Sequence, residues 1–194
     1  MTVTLQEAAL ENVLQKIARI IAREHDLQLV IRGGMACIDL EKRIIYLPNV
    51  TAEQYQDLRP YLDGITDHET GHARLTDIEP MKEIASDQTI HPIWNAIEDV
   101  WTERVHGHDY PGCHHNMEYM NKYLFGKFAG VVESADMLQQ ICTALQHIAR
   151  GDHPISHYAS SPIGALLPSL EDEIMEVRVC NSTKKAVALA KAIY

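Results

Sequence analysis

The sequence predicts an α+β fold, mainly helical, with a small N-terminal β-sheet. Three observations carry this. Apolar residues recur at helical spacing over Leu10, Leu14, Ile17 and Ile21, and again over Leu138, Ile141, Cys142, Leu145 and Ala149. Between residues 27 and 47 the chain is instead three short runs rich in Val, Ile and Leu, punctuated by Gly33-Gly34 and Glu41-Lys42. The rest reads as helices and polar loops. The 194 residues, 46% of them hydrophobic, fit a single domain with a core.

Taken in order, Thr4 and Glu7 form a capping box that opens a helix over 5–24. Strands follow at Leu27–Ile31, Ala36–Leu40 and Arg43–Leu47, and Pro48 closes the sheet. These elements fill the first part of the domain, about residues 1–50. Thr51 and Gln54 make a second capping box. The helix it opens should break at Pro60 and Gly64, leaving a separate helix over 64–76. A helix over 92–106 comes next, then a Gly/Pro loop, "GHDYPGCHHN", and helical character over 116–128. The last part, about 121–194, holds a helix capped by Ser134 and ended by Gly151. A loop, "DHPISHYASSPIG", and a final helical stretch from Ser169, interrupted at Asn181-Ser182, complete the chain.

Charge and cysteine usage exclude some classes of function. A formal net charge of −10 and a pI near 5.5 argue against nucleic acid or anionic lipid as partner. The four cysteines form no C-x-x-C pair, so a cysteine zinc site is not expected and a reduced, intracellular setting is. No basic-then-apolar leader opens the chain, and no apolar run approaches membrane-spanning length.

The chemistry concentrates in the middle part, about residues 51–120. His68-Glu69-Thr70-Gly71-His72 places two histidines four apart, hence on one face of a helix. Both imidazoles can reach one ion, and Glu69, one residue round, stands beside it as a general base toward water. That is the ligand arrangement of a zinc hydrolase: two histidines, a third protein ligand and an open position. Gly71 marks a close approach by another backbone or a substrate. The third ligand is expected in "NAIEDVWTER". Glu98 is the candidate, with Asp99 orienting a ligand histidine or substituting for Glu98. The competing reading makes this an ordinary amphipathic helix with Glu98, Asp99 and Glu103 in solvent. Cys113-His114-His115 reads as surface loop. His106, His108, Tyr110 and His157 read as structural taken singly, and His91 as a poorer third ligand than Glu98.

"HETGHARLTD" followed by "NAIEDVWTERVHGHDYPG" resembles the metallopeptidase-like domain of phage and bacterial proteins related to the cobaltochelatase subunit CobT. The matching positions are His68, Glu69, His72, Asn95, Glu98, Asp99, Glu103, Arg104, Tyr110, Pro111 and Gly112. The resemblance implies a zincin-like fold of the glutamate-ligand (gluzincin) group, with a small sheet, an HExxH active-site helix and a second helix giving the acidic ligand. It also implies an edge strand that binds extended peptide, for which Arg43–Leu47 is the candidate. The chain has no D-x-S-x-S motif, so the metal-handling role of relatives with a von Willebrand A-type domain finds no support. The expected function is that of a zinc-dependent peptidase in a bacterial cytoplasm, with His68, His72 and Glu98 on Zn2+ and Glu69 catalytic. Its partner would be a peptide or protein substrate. The alternatives are a catalytically silent binding module of the same fold and a metal-free assembly protein.

Overall fold

A computed structural model describes residues 5–23, 26–31, 34–49, 52–133 and 136–194. It is mainly helical with one three-stranded sheet, the α+β class expected from the sequence. The chain forms two compact units. The first comprises Met1–Leu75 and His106–Leu124, the second Thr76–Val105 and Phe125–Tyr194.

In the first unit, α1 (Leu5–Ala22) turns Leu14, Ala18 and Ala22 inward. They join Leu27, Leu29, Ile45 and Leu47 of the sheet region, Ile65 and Ala73 of α2 (Ala52–Leu75) and Met120 of α5 (Pro111–Glu133) in one apolar cluster. Burial of such side chains stabilises by roughly 1.5–3 kcal/mol each. The expected capping residues Thr4 and Thr51 lie outside the described residues, as do Glu24 and Gly33. The strands are β1 (Gln28–Ile31), β2 (Cys37–Asp39) and β3 (Ile44–Leu47). The sheet order is β1-β3-β2. β1 pairs with β3 in parallel, Gln28 opposite Ile44, and β2 pairs with it antiparallel, Cys37 opposite Tyr46.

This order corrects one expectation. Arg43–Leu47 is not an edge strand but holds the centre. A tight turn at 40–43, with Asp39 accepting from the Lys42 amide at 2.9 Å, folds β2 back onto one side of β3. The other side is taken by β1. Ile45 and Leu47 alternate inward, as a half-buried strand requires.

The expected break before the motif is also absent. α2 runs unbroken from Ala52 to Leu75 with Pro60 inside it. Pro60 is exposed, so water can serve the carbonyl that its missing N–H leaves over. Leu62, Ile65 and Ala73 are buried, and that packing keeps one axis through the proline. Gly64 serves contact instead of termination. A Cβ there would meet the Asn116 carbonyl oxygen and stand 2.6 Å from the Met120 Cβ, so glycine lets α5 cross against α2.

A third correction concerns "GHDYPGCHHN". The segment is helical on both sides of Tyr110, ending α4 (Ile90–Asp109) and beginning α5. Pro111 occupies the first helical position, where its missing N–H costs nothing. Gly107 admits the next helix, since a Cβ there would lie 2.9 Å from that of His114.

The second unit is built on α6 (Met137–Arg150), α7 (Glu171–Arg178) and α8 (Thr183–Ile193), with the short α3 (Ile78–Lys82) against α8. Asp136 caps α6, accepting from the Gln139 amide at 2.8 Å, while Ser134 lies outside the described residues. Gly151, at φ 89°, ends α6 where the sequence places the end. Ser169 does not cap α7. Its hydroxyl donates back to the Leu166 carbonyl at 2.7 Å. Ser182 caps α8, just past the expected interruption. Leu145, Ile148, Ile163, Leu167, Ile174, Val177 and Val187 fill this core.

Candidate metal centre

In the first unit, α2 carries His68 and His72 on one face, with their Nε2 atoms 3.3 Å apart and their rings edge to face. Glu69 and His72 are buried and His68 is half-buried. The helix around them is polar yet inside the protein, and its side chains are served locally. Thr66 donates to the Leu62 carbonyl at 2.8 Å and Thr70 to the Thr66 carbonyl at 2.6 Å. Asp67 accepts from the Asn116 amide at 2.8 Å and from the Cys113 thiol. Burial raises the Asp67 carboxyl above its ordinary range, with its hydrogen bonds opposing the shift. Burial likewise pushes the Cys113 thiol up to about 12, which makes it inert as a nucleophile.

Gly71 has the use that its place in the motif suggested. A Cβ there would stand 3.4 Å from the His106 ring, which lies against α2 beside His72. His106 is fully buried, and neither of its ring nitrogens has a hydrogen-bond partner. Its desolvation, with Arg74 next in weight, brings the imidazole down to about 4 and holds it neutral. Arg74 pairs with Asp109 and lies over the Tyr110 ring at 5.2 Å. Tyr110 donates to the Ile21 carbonyl at 3.2 Å and so ties this corner to α1.

In the second unit, the acidic residues of α4 are not a solvated face. Glu98, Asp99 and Glu103 are 0%, 8% and 8% exposed, which removes the ordinary amphipathic reading. Glu98 accepts from the Trp101 indole at 2.8 Å on one oxygen and from the Thr183 hydroxyl at 2.7 Å on the other. Asp99 accepts from the Gln146 amide at 2.9 Å and the Asn95 amide at 3.3 Å. Glu103 forms an ion pair with Arg150 at 2.9 Å. Arg104 donates to the Arg178 and Cys180 carbonyls, anchoring α4 to the end of α7.

The remaining histidines divide plainly. His114 and His115 are exposed in the first turns of α5, and His108 is exposed on α4. His91 lies beside Trp94, ring centroids 5.2 Å apart and planes tilted by 50°. His157 stacks on His153 at 4.0 Å, and His147 shares a 2.7 Å hydrogen bond with the Tyr158 hydroxyl. Sequence reasoning missed Gln146 and Arg150, whose four-residue spacing on α6 matches that of Asp99 and Glu103 on α4. It also missed the burial of His106, for which Gly71 was the one available signal.

No protein-family model, no curated protein and no solved structure matches the chain. Among the described residues, no helix is long and apolar enough to cross a membrane.

Proposed function

We propose that the chain is a metal-dependent peptidase in which His68 and His72 hold one divalent ion and Glu69 is the general base. The observation that carries this is the 3.3 Å between the two Nε2 atoms. Two nitrogens each about 2.0–2.1 Å from a tetrahedral ion stand about 3.3–3.4 Å apart. The pair is therefore already spaced as ligands. Paired imidazoles suit zinc. The neutral, unpartnered His106 beside His72 adds a polar, uncharged wall that does not repel a cation.

Bound there, the ion would supply Lewis acidity, polarising the scissile carbonyl and acidifying water. Glu69 takes a proton as the water oxygen attacks the carbonyl carbon. It returns the proton to the amine nitrogen as the C–N bond breaks. The zincin-like reading draws on the small sheet packed on the motif helix. Its substrate would be an extended peptide, which has β2, an edge of that sheet, to pair with.

The test is peptide cleavage by wild type and Glu69→Gln. Metal content should be unchanged in the variant, and turnover should fall by about 10²–10⁴-fold. Equal cleavage by both proteins, or none by a metal-loaded wild type across a broad peptide library, would remove the peptidase reading.

A further inference from the structure

In the second unit, one segment is held in place by titratable rings instead of by apolar burial. α6 ends at Gly151, and the chain folds back on it through a tight helical turn, Ile155–Tyr158. None of residues 151–162 is buried, whereas Ile163, which follows, is 1% exposed. The attachments to α6 are of another kind. His147 Nδ1 and the Tyr158 hydroxyl share a hydrogen bond at 2.7 Å. The His153 ring stands edge to face with that of His147, centroids 5.0 Å apart. The His157 ring lies flat on His153 at 4.0 Å, with 5° between the planes, and Tyr158 meets His157 edge to face at 5.1 Å. The Gly151 and Asp152 amides donate to the His147 carbonyl and fix where the return begins.

An attachment of this kind responds to protons. Segments with little apolar burial open locally at low cost in free energy. Imidazolium rings in contact repel one another, so protons added to such a stack drive it apart. The surroundings do little to neutralise them. On α6, Arg150 stands one turn after His147, pairs with Glu103 of α4 at 2.9 Å and lies 5.8 Å over the Phe125 ring. From α7, Arg178 donates to the Ile148 carbonyl at 2.7 Å, a second cation at this end of α6. α5 contributes Phe125, an uncharged ring edge to face with His147 at 4.1 Å. The turn Leu167–Leu170, which packs on Ile155–Tyr158, has no charged side chain. Between Gly151 and Gly164 the sequence holds one acid, Asp152, which is exposed, and no Lys or Arg.

The direction of the response follows from the burial of His147. Burial, with His153, Arg150 and His157 nearby, brings that imidazole down to about 4, against about 6.5 for a free histidine. Attachment therefore favours the neutral ring, is complete above about 6.5 and is lost as pH falls toward about 4. Burial and Asp152 push the Tyr158 phenol up to about 12, so it keeps its proton throughout. We infer that residues 152–162 form an acid-released strap, which neutral His147, His153 and His157 hold on α6 together with Tyr158, and which protonation frees while the helices of the second unit stay folded. The inference is independent of the metal reading.

The experiment measures backbone 15N order parameters of the full chain between about pH 7.5 and about pH 4.5, the range in which histidines change charge. A chelator is present throughout, so that metal content does not vary with pH. Wild type is compared with His147→Gln, His157→Phe and Tyr158→Phe, each confirmed as folded at the upper pH by circular dichroism. In the wild type, order parameters over 152–162 should fall from about 0.85 to below about 0.6, while those of α6 and α8 stay near 0.85. His147→Gln keeps an amide for the Tyr158 hydroxyl, and His157→Phe keeps a flat ring in the stack. Neither carries the proton, so each should move release to the acid side by about one pH unit or more. Tyr158→Phe removes the hydrogen bond and should loosen the segment already at the upper pH. His157 is exposed, so its variant folds even where that of His147 does not. A wild-type segment that stays ordered to the lowest pH would overturn the inference. So would loss of order in 152–162 only together with α6 and α8, or release of both histidine variants at the wild-type pH.

Discussion

Two adjacent carboxylates on α4 occupy different chemical situations. Glu98 is enclosed and fully used by Trp101 and Thr183, whereas Asp99 is held at Oδ2 by amides. Their neutralisation should therefore cost different amounts. Glu98→Gln alters a network enclosed on both oxygens and should lower the melting temperature, at a cost of about 1–3 kcal/mol. Asp99→Asn disturbs the two amides at one oxygen and should lower it by less. Thermal melts of the two variants, taken together, check this. His106 makes a converse case. It carries two buried ring nitrogens without partners, so His106→Leu should leave the metal-free protein as stable or more stable. A loss of stability by calorimetry would show that the imidazole has a structural task.

At the scale of elements, glycine proves to be about proximity more than about breaks. Gly64 lies where α5 crosses α2, against the Asn116 carbonyl and 2.6 Å from the Met120 Cβ for any added Cβ. Gly64→Val should therefore destabilise by about 1–3 kcal/mol, read in a denaturation midpoint. Gly71→Ala has the His106 side chain as its nearest neighbour, at 3.4 Å, and should cost less. This is also where the sequence was readable and where it was not. Helices α1, α4, α6 and α8 were legible from apolar spacing and from Gly151. The three strands were legible from their short Val, Ile and Leu runs. Pro60, Gly64, Gly107 and Pro111 misled, because local propensity counts them as breakers and the packing of α2, α4 and α5 overrides that. In the candidate centre, the common face of His68 and His72 was legible because helical spacing fixes it. The hydrogen bond from Gln146 to Asp99 was not. It depends on which helix returns to α4, and a partner 47 residues away leaves no local mark.

For the whole molecule, the buried histidines set a dependence on pH. Burial, with His153, Arg150 and His157 nearby, brings His147 down to about 4, and burial does the same to His106. An unfolded histidine titrates near 6.5. Folding therefore favours the neutral form. The stability this contributes is complete above about 6.5 and is lost as pH falls toward about 4, since over that window the unfolded chain binds more protons. Thermal melts of metal-free protein should drop steadily across this range, and His147→Gln should flatten part of the slope. An acid range with no change in melting temperature would contradict the assignment.

The central claim is that His68 and His72 stand as a ready pair of metal ligands, and the most direct measurement is the zinc content of freshly purified protein beside His72→Ala. The account predicts about one zinc per chain in the wild type and close to none in the variant. A wild type that holds no zinc after loading and removal of excess, or a variant that holds as much as wild type, would contradict it.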